Sequence, residues 1–72
     1  METLDLHGIR HQEADEIVRS FLNFMELPCQ IITGNSVQMK NIVKKIVDEY
    51  QWFCYEKDSY NYGTLVIVES NI

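Results

Sequence analysis

The hydrophobic period of this chain changes from two residues to the helical period within its first third. Residues 3–7, TLDLH, alternate leucine with polar side chains, which is typical of a half-buried strand. Over residues 12–26 the apolar side chains recur at i, i+3, i+4 and i+7, which predicts an amphipathic helix. We expect this helix to end near Leu27, because Pro28 cannot continue it. A strand that leads directly into a helix begins an alternating α/β fold.

Strand and helix patterns continue to alternate along the chain. The further elements are a strand at 29–33, a helix at 37–50, a strand at 52–57, a loop at 58–63 and a strand at 64–69. The order β-α-β-α-β-β predicts an α/β fold, more closely an α+β two-layer sandwich. It has a four-stranded mixed sheet with parallel early strands and both helices on one face. The polar third strand suits an edge, and the β-branched fourth strand suits the interior.

Length and composition narrow the classes of function. The 72 residues predict a single domain over 1–72. The alternation in its first strand predicts that Leu4 and Leu6 lie under the helices and that Asp5 and His7 lie on the other face. The N-terminus resembles no secretory signal, and no apolar run is long enough to span a membrane. Cys29 and Cys54 form no CxxC pair, so we expect free thiols in the cytoplasm. The net charge of −5 disfavours long tracking along a duplex and predicts salt-sensitive binding through a local positive patch.

The glycine turns after the first two strands indicate a functional site. Ligands of α/β sheets bind outside the carboxyl ends of parallel strands. The first strand ends at His7-Gly8 and the second at Thr33-Gly34, so both turns are expected at one sheet edge. Glycine permits positive φ and close approach of a ligand, and the N-terminus of the second helix suits a phosphate. Either Asn35 or Ser36 can cap that helix.

Asp5 and His7 are the candidate chemical groups at this edge. Being two residues apart on a strand, they share a face, so Asp5 could orient the imidazole or favour its protonated form. Histidine is suited to acid–base catalysis at neutral pH. The alternative is a strand-end histidine that only hydrogen-bonds the backbone, and spacing alone leaves both interpretations open.

The remaining polar candidates divide by position. Arg10 and Lys40 lie near the helix N-termini and could reach a phosphate, whereas Lys44 and Lys45 read as a solvated helix face. His11 reads as an exposed helix-entry residue. No spacing is characteristic of a zinc or iron site, so neither a metal nor another cofactor is expected.

The last third of the chain is rich in aromatic residues. Stacking on unpaired bases is one use of such side chains, and packing in a small domain is the other. We expect Trp52 and Phe53 to pack, and Tyr60 and Tyr62 to be the better candidates for an exposed contact.

Three segments resemble the motifs of a known family. The segment Leu4-Asp5-Leu6-His7-Gly8-x-Arg10-x-x-Glu13-Ala14 resembles the opening motif of the small MutS-related (Smr) domain. Ile31-Ile32-Thr33-Gly34 is similar to its second motif, and Tyr62-Gly63-Thr64-Leu65-Val66-Ile67-Val68 to its last strand. The match spans about residues 4–69. It implies a fold similar to the C-terminal domain of a bacterial translation initiation factor.

The resemblance also implies a function. Smr domains act as nicking or structure-directed endonucleases on DNA or RNA, and others only bind nucleic acid. It implies that Asp5 and His7 are catalytic and that the turn at Gly34 binds substrate, so the candidate substrate-binding residues are Gly8, Arg10, Thr33, Gly34, Asn35, Ser36 and Lys40. The segment Thr33-Gly34-Asn35-Ser36 departs from the family, because Ser36 replaces the second glycine of the motif.

Three functions therefore stay open. The first is a stand-alone nucleic-acid-binding domain that cleaves RNA or structured or nicked DNA, with His7 as general acid or base and Asp5 positioning it. The second is a nucleic-acid-binding module without catalysis. The third is a protein–protein adaptor that uses the acidic helix face around Glu13, Glu16 and Arg19 to bind a protein partner. The sequence leaves the oligomeric state open.

Overall fold

The computed structural model describes residues 1–58 and 61–70 as an α+β fold of two layers. Its elements in chain order are β1 (Glu2–Asp5), α1 (His11–Phe24), β2 (Cys29–Ile32), α2 (Val37–Glu49), β3 (Phe53–Asp58) and β4 (Asn61–Val68). This is the order that the hydrophobic periods predict.

The strands form one mixed sheet in the order β1-β2-β4-β3. β1 and β2 are parallel, whereas β4 is antiparallel to both β2 and β3. The predicted mixed sheet is therefore confirmed, with β3 at an edge and β4 in the interior. Because β3 runs in the same direction as β1 and β2, the carboxyl ends of these three strands lie at one edge of the sheet.

Both helices pack on the same face of the sheet, which confirms the predicted layering. The core between the layers consists of Leu6, Ala14, Val18, Leu22, Cys29, Ile31, Met39, Val43, Ile46, Val47, Leu65 and Ile67. Leu6 is only 1% exposed and Leu4 packs partly buried against the same core, while Asp5 and His7 are exposed. The alternation of TLDLH thus correctly predicts which side chains face the helices.

Several element boundaries differ from the predicted ones. β1 ends at Asp5 rather than at His7, because Leu6 to Ile9 form a turn closed by the Ile9 N–H and the Leu6 carbonyl at 3.0 Å. Helix α1 ends at Phe24, and the next residue is already extended. Strand β4 begins at Asn61, so the connection before it is shorter than the predicted loop at 58–63.

A polar contact joins the outer surfaces of the two helices. The guanidinium of Arg19 binds Asp15 on its own helix at 2.7 Å and Glu49 of α2 at 3.1 Å. Nearby, the Tyr50 hydroxyl donates to the Asn23 side-chain oxygen at 2.6 Å. The hydrogen bonds and the charge of Arg19 lower the pKa of both carboxyl groups.

This contact makes stability depend on pH in the acid range. A carboxyl group with a lowered pKa in the folded state stabilises the protein above its unfolded pKa, near 4, and the contribution is lost as the pH falls below that range. We expect Arg19→Gln to make the fall of the melting temperature between neutral and acid pH shallower. The matched control Lys44→Gln should keep the wild-type slope in the same thermal denaturation series, and equal slopes for wild type and Arg19→Gln would contradict the assignment.

Candidate active site

The first turn of the site is built by a carboxylate and a glycine. The Asp5 Oδ1 atom accepts a hydrogen bond from the His7 backbone N–H at 2.8 Å. Gly8 follows with φ of +81°, a conformation in which a residue with a β-carbon is strained. The turn leaves the His7 side chain exposed at the end of β1.

Asp5 therefore acts on the main chain of His7 and not on its ring. Within the part of the chain that the structure describes, no hydrogen bond reaches the His7 imidazole. The prediction that Asp5 orients the ring directly is wrong, because the carboxylate holds the peptide nitrogen of the turn instead. The alternative of a histidine bound to the backbone is wrong as well. His7 is an exposed imidazole on a turn that Asp5 fixes.

The second turn is held by one backbone carbonyl. The Gly63 oxygen of β4 accepts from the Thr33 N–H at 2.7 Å and from the Gly34 N–H at 3.2 Å. The Thr33 hydroxyl lies 2.9 Å from the Gly34 oxygen and 3.3 Å from the Gly63 oxygen. Thr33 is buried and its hydroxyl is used within the turn, so this candidate substrate-binding residue has a structural role.

The two turns lie at the same edge, as predicted. The Leu6 N–H donates to the Ile32 carbonyl at 2.8 Å, which extends the β1–β2 pairing to the turns. Ser36 caps α2 by accepting from the Met39 N–H at 3.1 Å. The same Ser36 hydroxyl lies 3.4 Å from the Nε2 atom of His11, the first residue of α1. The N-termini of both helices therefore meet beside the first turn.

The candidate cations have different surroundings. Arg10 is exposed at the N-cap position of α1, and no side chain caps that helix. The Lys40 ammonium instead lies 3.1 Å from Glu56 of β3, between the helix and the sheet, with its side chain only 14% exposed. Lys44 and Lys45 are exposed, as predicted. The site therefore offers Arg10 as its accessible guanidinium, whereas Lys40 has a carboxylate partner.

The other candidate residues are placed as follows. Gly34 adopts φ of +69° with open space around it, so its conformation and not a close neighbour requires glycine. Asn35 is exposed at the tip of the same turn. Ser36, at the position where the motif that this segment resembles has its second glycine, is the helix cap. The substitution is therefore compatible with a well-formed α2 N-terminus.

Sequence reasoning missed the position of His11. It is exposed, as predicted, but its contact with Ser36 places it within the site and not on a remote helix surface. The signal was the start of α1, which begins at His11 and directly follows the short turn. A helix beginning one residue earlier than predicted brings this imidazole against the second helix.

The aromatic predictions have mixed outcomes. Trp52 packs partly buried against the core, which confirms its prediction. Phe53 lies on the edge strand and is 44% exposed, so it is not part of the core, and Tyr55 is 53% exposed. The predictions for Tyr60 and Tyr62 fall outside the described side chains.

Other features of the described residues bear on function. Burial raises the pKa of the Cys29 and Cys54 thiols, and both cysteines are free. Residues 1–58 and 61–70 contain no group of three potential ligands that could hold a metal ion. Over the same residues, no helix combines the length and apolar character that crossing a membrane requires. Comparisons with protein-family models, with curated proteins and with solved structures found no match.

The close approach of Gly63 to the second turn can be tested. A β-carbon added at Gly63 would lie 3.2 Å from the Gly34 α-carbon, which is held by backbone hydrogen bonds. We expect Gly63→Ala to lower the free energy of unfolding by about 1–3 kcal/mol, the usual effect of overpacking. Chemical denaturation measures this change. Asn35→Ala, at an exposed position in the same turn, should change stability by less than about 0.5 kcal/mol.

Proposed function

We propose that this chain is a small cytoplasmic nucleic-acid-binding domain of the Smr type that cleaves RNA. The observation that carries the proposal is that two glycine turns lie at one sheet edge, the first of them carrying the exposed His7, and that the two helix N-termini meet at this edge through His11 and Ser36. The motif of residues 4–14 supports the same assignment through its resemblance to the family.

The edge is suited to binding a phosphate. Backbone N–H groups at the first turn of a helix point outward and favour an anion. Helix α1 has no side-chain cap, and Arg10 lies exposed at its start. A phosphate placed there would contact the helix amides and the guanidinium, next to the turn that carries His7.

The residues at this edge support a cleavage in which the RNA supplies its own nucleophile. The 2′-oxygen attacks the adjacent phosphorus, the bond from phosphorus to the 5′-oxygen breaks, and a 2′,3′-cyclic phosphate forms. His7 accepts the proton of the 2′-hydroxyl, and His11 donates a proton to the departing 5′-oxygen. Nucleases that use two metal ions clamp both reacting oxygens between them, usually with several carboxylates. Here the carboxylate of the turn, Asp5, already accepts the His7 N–H.

Substitution of the two histidines tests this reaction. We expect His7→Ala to lower the rate of RNA cleavage roughly 10²–10⁴-fold, the size of a general acid–base contribution. His11→Ala should lower it to a similar extent. Lys44→Ala, on the solvated face of α2, should cleave at the wild-type rate.

The substrate panel and the products decide between the open functions. Labelled single-stranded, duplex and branched RNA and DNA are incubated with the protein, with and without a chelator. The expected result is RNA cleavage that survives the chelator and leaves a cyclic phosphate end. Loss of activity in chelator that magnesium restores would overturn the metal-independent reaction. Binding without cleavage would identify a non-catalytic module, and no binding at all would favour the adaptor.

Asp5 is expected to be a positioning residue that acts through the backbone. Asparagine keeps an oxygen that can accept the His7 N–H, whereas alanine does not. We therefore expect Asp5→Asn to keep most of the activity and its pH profile, and Asp5→Ala to lose at least tenfold, since the loss of one hydrogen bond to a charged group is about 1.5–3 kcal/mol. Single-turnover cleavage across pH is the measurement. Equal loss in both variants would instead show that the negative charge is required.

A further inference from the structure

Among the described residues, both helices pack on one face of the sheet, and the opposite face presents exposed side chains whose composition indicates a ligand. By alternation along the strands, the described side chains on this open face are Thr3, Asp5, Gln30, Ile32, Phe53, Tyr55, Lys57, Thr64, Val66 and Val68. Two aromatic rings, Phe53 and Tyr55, are the largest of them. They are 44% and 53% exposed, although burial is the usual fate of such side chains.

The two rings form a regular pair. They are two residues apart on the edge strand β3, so they point the same way, separated by about 7 Å. Tyr55 pairs with Val66 of the neighbouring strand. The Val66 side chain is only 5% exposed and packs beside the ring. Rings held in this way on a sheet can stack on successive unpaired bases.

The distribution of charge favours this face over the helices for a nucleic acid. The net charge of −5 repels phosphates from the body as a whole. The helix surfaces carry the acidic side chains Glu13, Asp15, Glu16, Asp48 and Glu49, which outnumber the basic Arg19, Lys44 and Lys45. By contrast, the described charges on the open face are one carboxylate, Asp5, and one ammonium, Lys57. A strand that binds here through its bases therefore avoids most of the repulsion.

The size of the open face argues against a second copy of the chain as its occupant. Four strands about 4.8 Å apart and about six residues long make a face of about 400 Å². A specific protein–protein interface buries about 800 Å² on each partner. Two or three stacked bases, in contrast, fit a sheet surface of this size.

Polar groups in the same row as Tyr55 favour RNA. Thr3, Gln30, Val66 and Tyr55 are paired across the four strands in one row. The Gln30 amide donates to the Thr3 hydroxyl at 2.8 Å, so this end of the row presents hydrogen-bonding groups beside Val66. A ribose 2′-hydroxyl, which donates and accepts, can be recognised by such groups, whereas deoxyribose lacks it.

We propose that the open sheet face binds single-stranded RNA by stacking unpaired bases on Phe53 and Tyr55. Since β3 is parallel to β1, the strand would continue past Lys57 to the edge where Asp5 and His7 lie. The path of the RNA toward His7 rests on the proposed function. The stacking of bases on Phe53 and Tyr55 rests on the geometry of the sheet alone. It assigns the protein unpaired RNA as its substrate class.

Equilibrium binding tests the contact. The probe is a short, unstructured, fluorescently labelled RNA, measured by anisotropy in a His7→Ala background so that cleavage does not deplete it. We expect Phe53→Ala and Tyr55→Ala each to raise the Kd roughly 5- to 100-fold, as loss of one stacked base does. Phe53→Leu, which keeps apolar volume but no ring, should bind as weakly as Phe53→Ala. Phe24→Ala is the matched control, because Phe24 is 80% exposed on α1 and away from the face.

The salt dependence separates this surface from the edge. Removing a stacked ring should leave the slope of log Kd against log salt unchanged, whereas Arg10→Ala should reduce its magnitude by about 0.7 through loss of one phosphate contact. If the wild type cuts no RNA but the ring variants still weaken binding, the proposed function fails and this inference stands. If cleavage is confirmed but folded ring variants bind RNA like the wild type, the inference fails alone.

Two further results would overturn the assignment. Single-stranded DNA of the same sequence bound as tightly as RNA would contradict the recognition of ribose. A dimer in light scattering that becomes monomeric on Phe53→Ala would show that a second copy covers the face. Circular dichroism of each variant establishes that a loss of binding does not come from unfolding.

Discussion

The carbonyl oxygen of Gly63 on β4 binds the turn that follows β2, and the candidate site depends on this contact. It receives the amide hydrogens of Thr33 and Gly34, and the Thr33 hydroxyl lies within hydrogen-bonding distance of it. These contacts fix the carboxyl end of β2 and the turn after it against β4. Two residues beyond this turn, Ser36 caps α2 and lies 3.4 Å from His11, so the N-termini of the two helices are neighbours.

Most of the fold could be predicted from local periodicity. The alternation around Leu4 and Leu6 and the helical spacing in the two helices assign each buried face correctly, because a domain of 72 residues must use nearly all its apolar side chains in one core. The shared edge of the two glycine turns followed from parallel pairing alone. The chain order of the elements therefore predicts where the candidate site lies.

The details that sequence reasoning missed depend on contacts between distant parts of the chain. The alternation of residues 53–56 allows either Phe53 and Tyr55 or Cys54 and Glu56 to face the helices, and hydrophobicity favours the rings. The structure turns the second pair inward and half-buries it, and Glu56 meets Lys40 of α2 at 3.1 Å. The Asp5 carboxylate was likewise expected to bind the His7 imidazole, but it accepts a hydrogen bond from the His7 backbone N–H instead. Aspartate side chains commonly bind the backbone two residues further along the chain.

The ion pair between Lys40 and Glu56 has a consequence for the opposite side of the sheet. It favours the alignment in which Cys54 and Glu56 turn inward, although one Glu56 oxygen is buried without a hydrogen-bond partner among the described residues. A shift of the strand by one position would exchange its two faces completely. This half-buried ion pair thus contributes to strand alignment, and the alignment decides whether the protein presents aromatic rings or a thiol and a carboxylate to its surroundings.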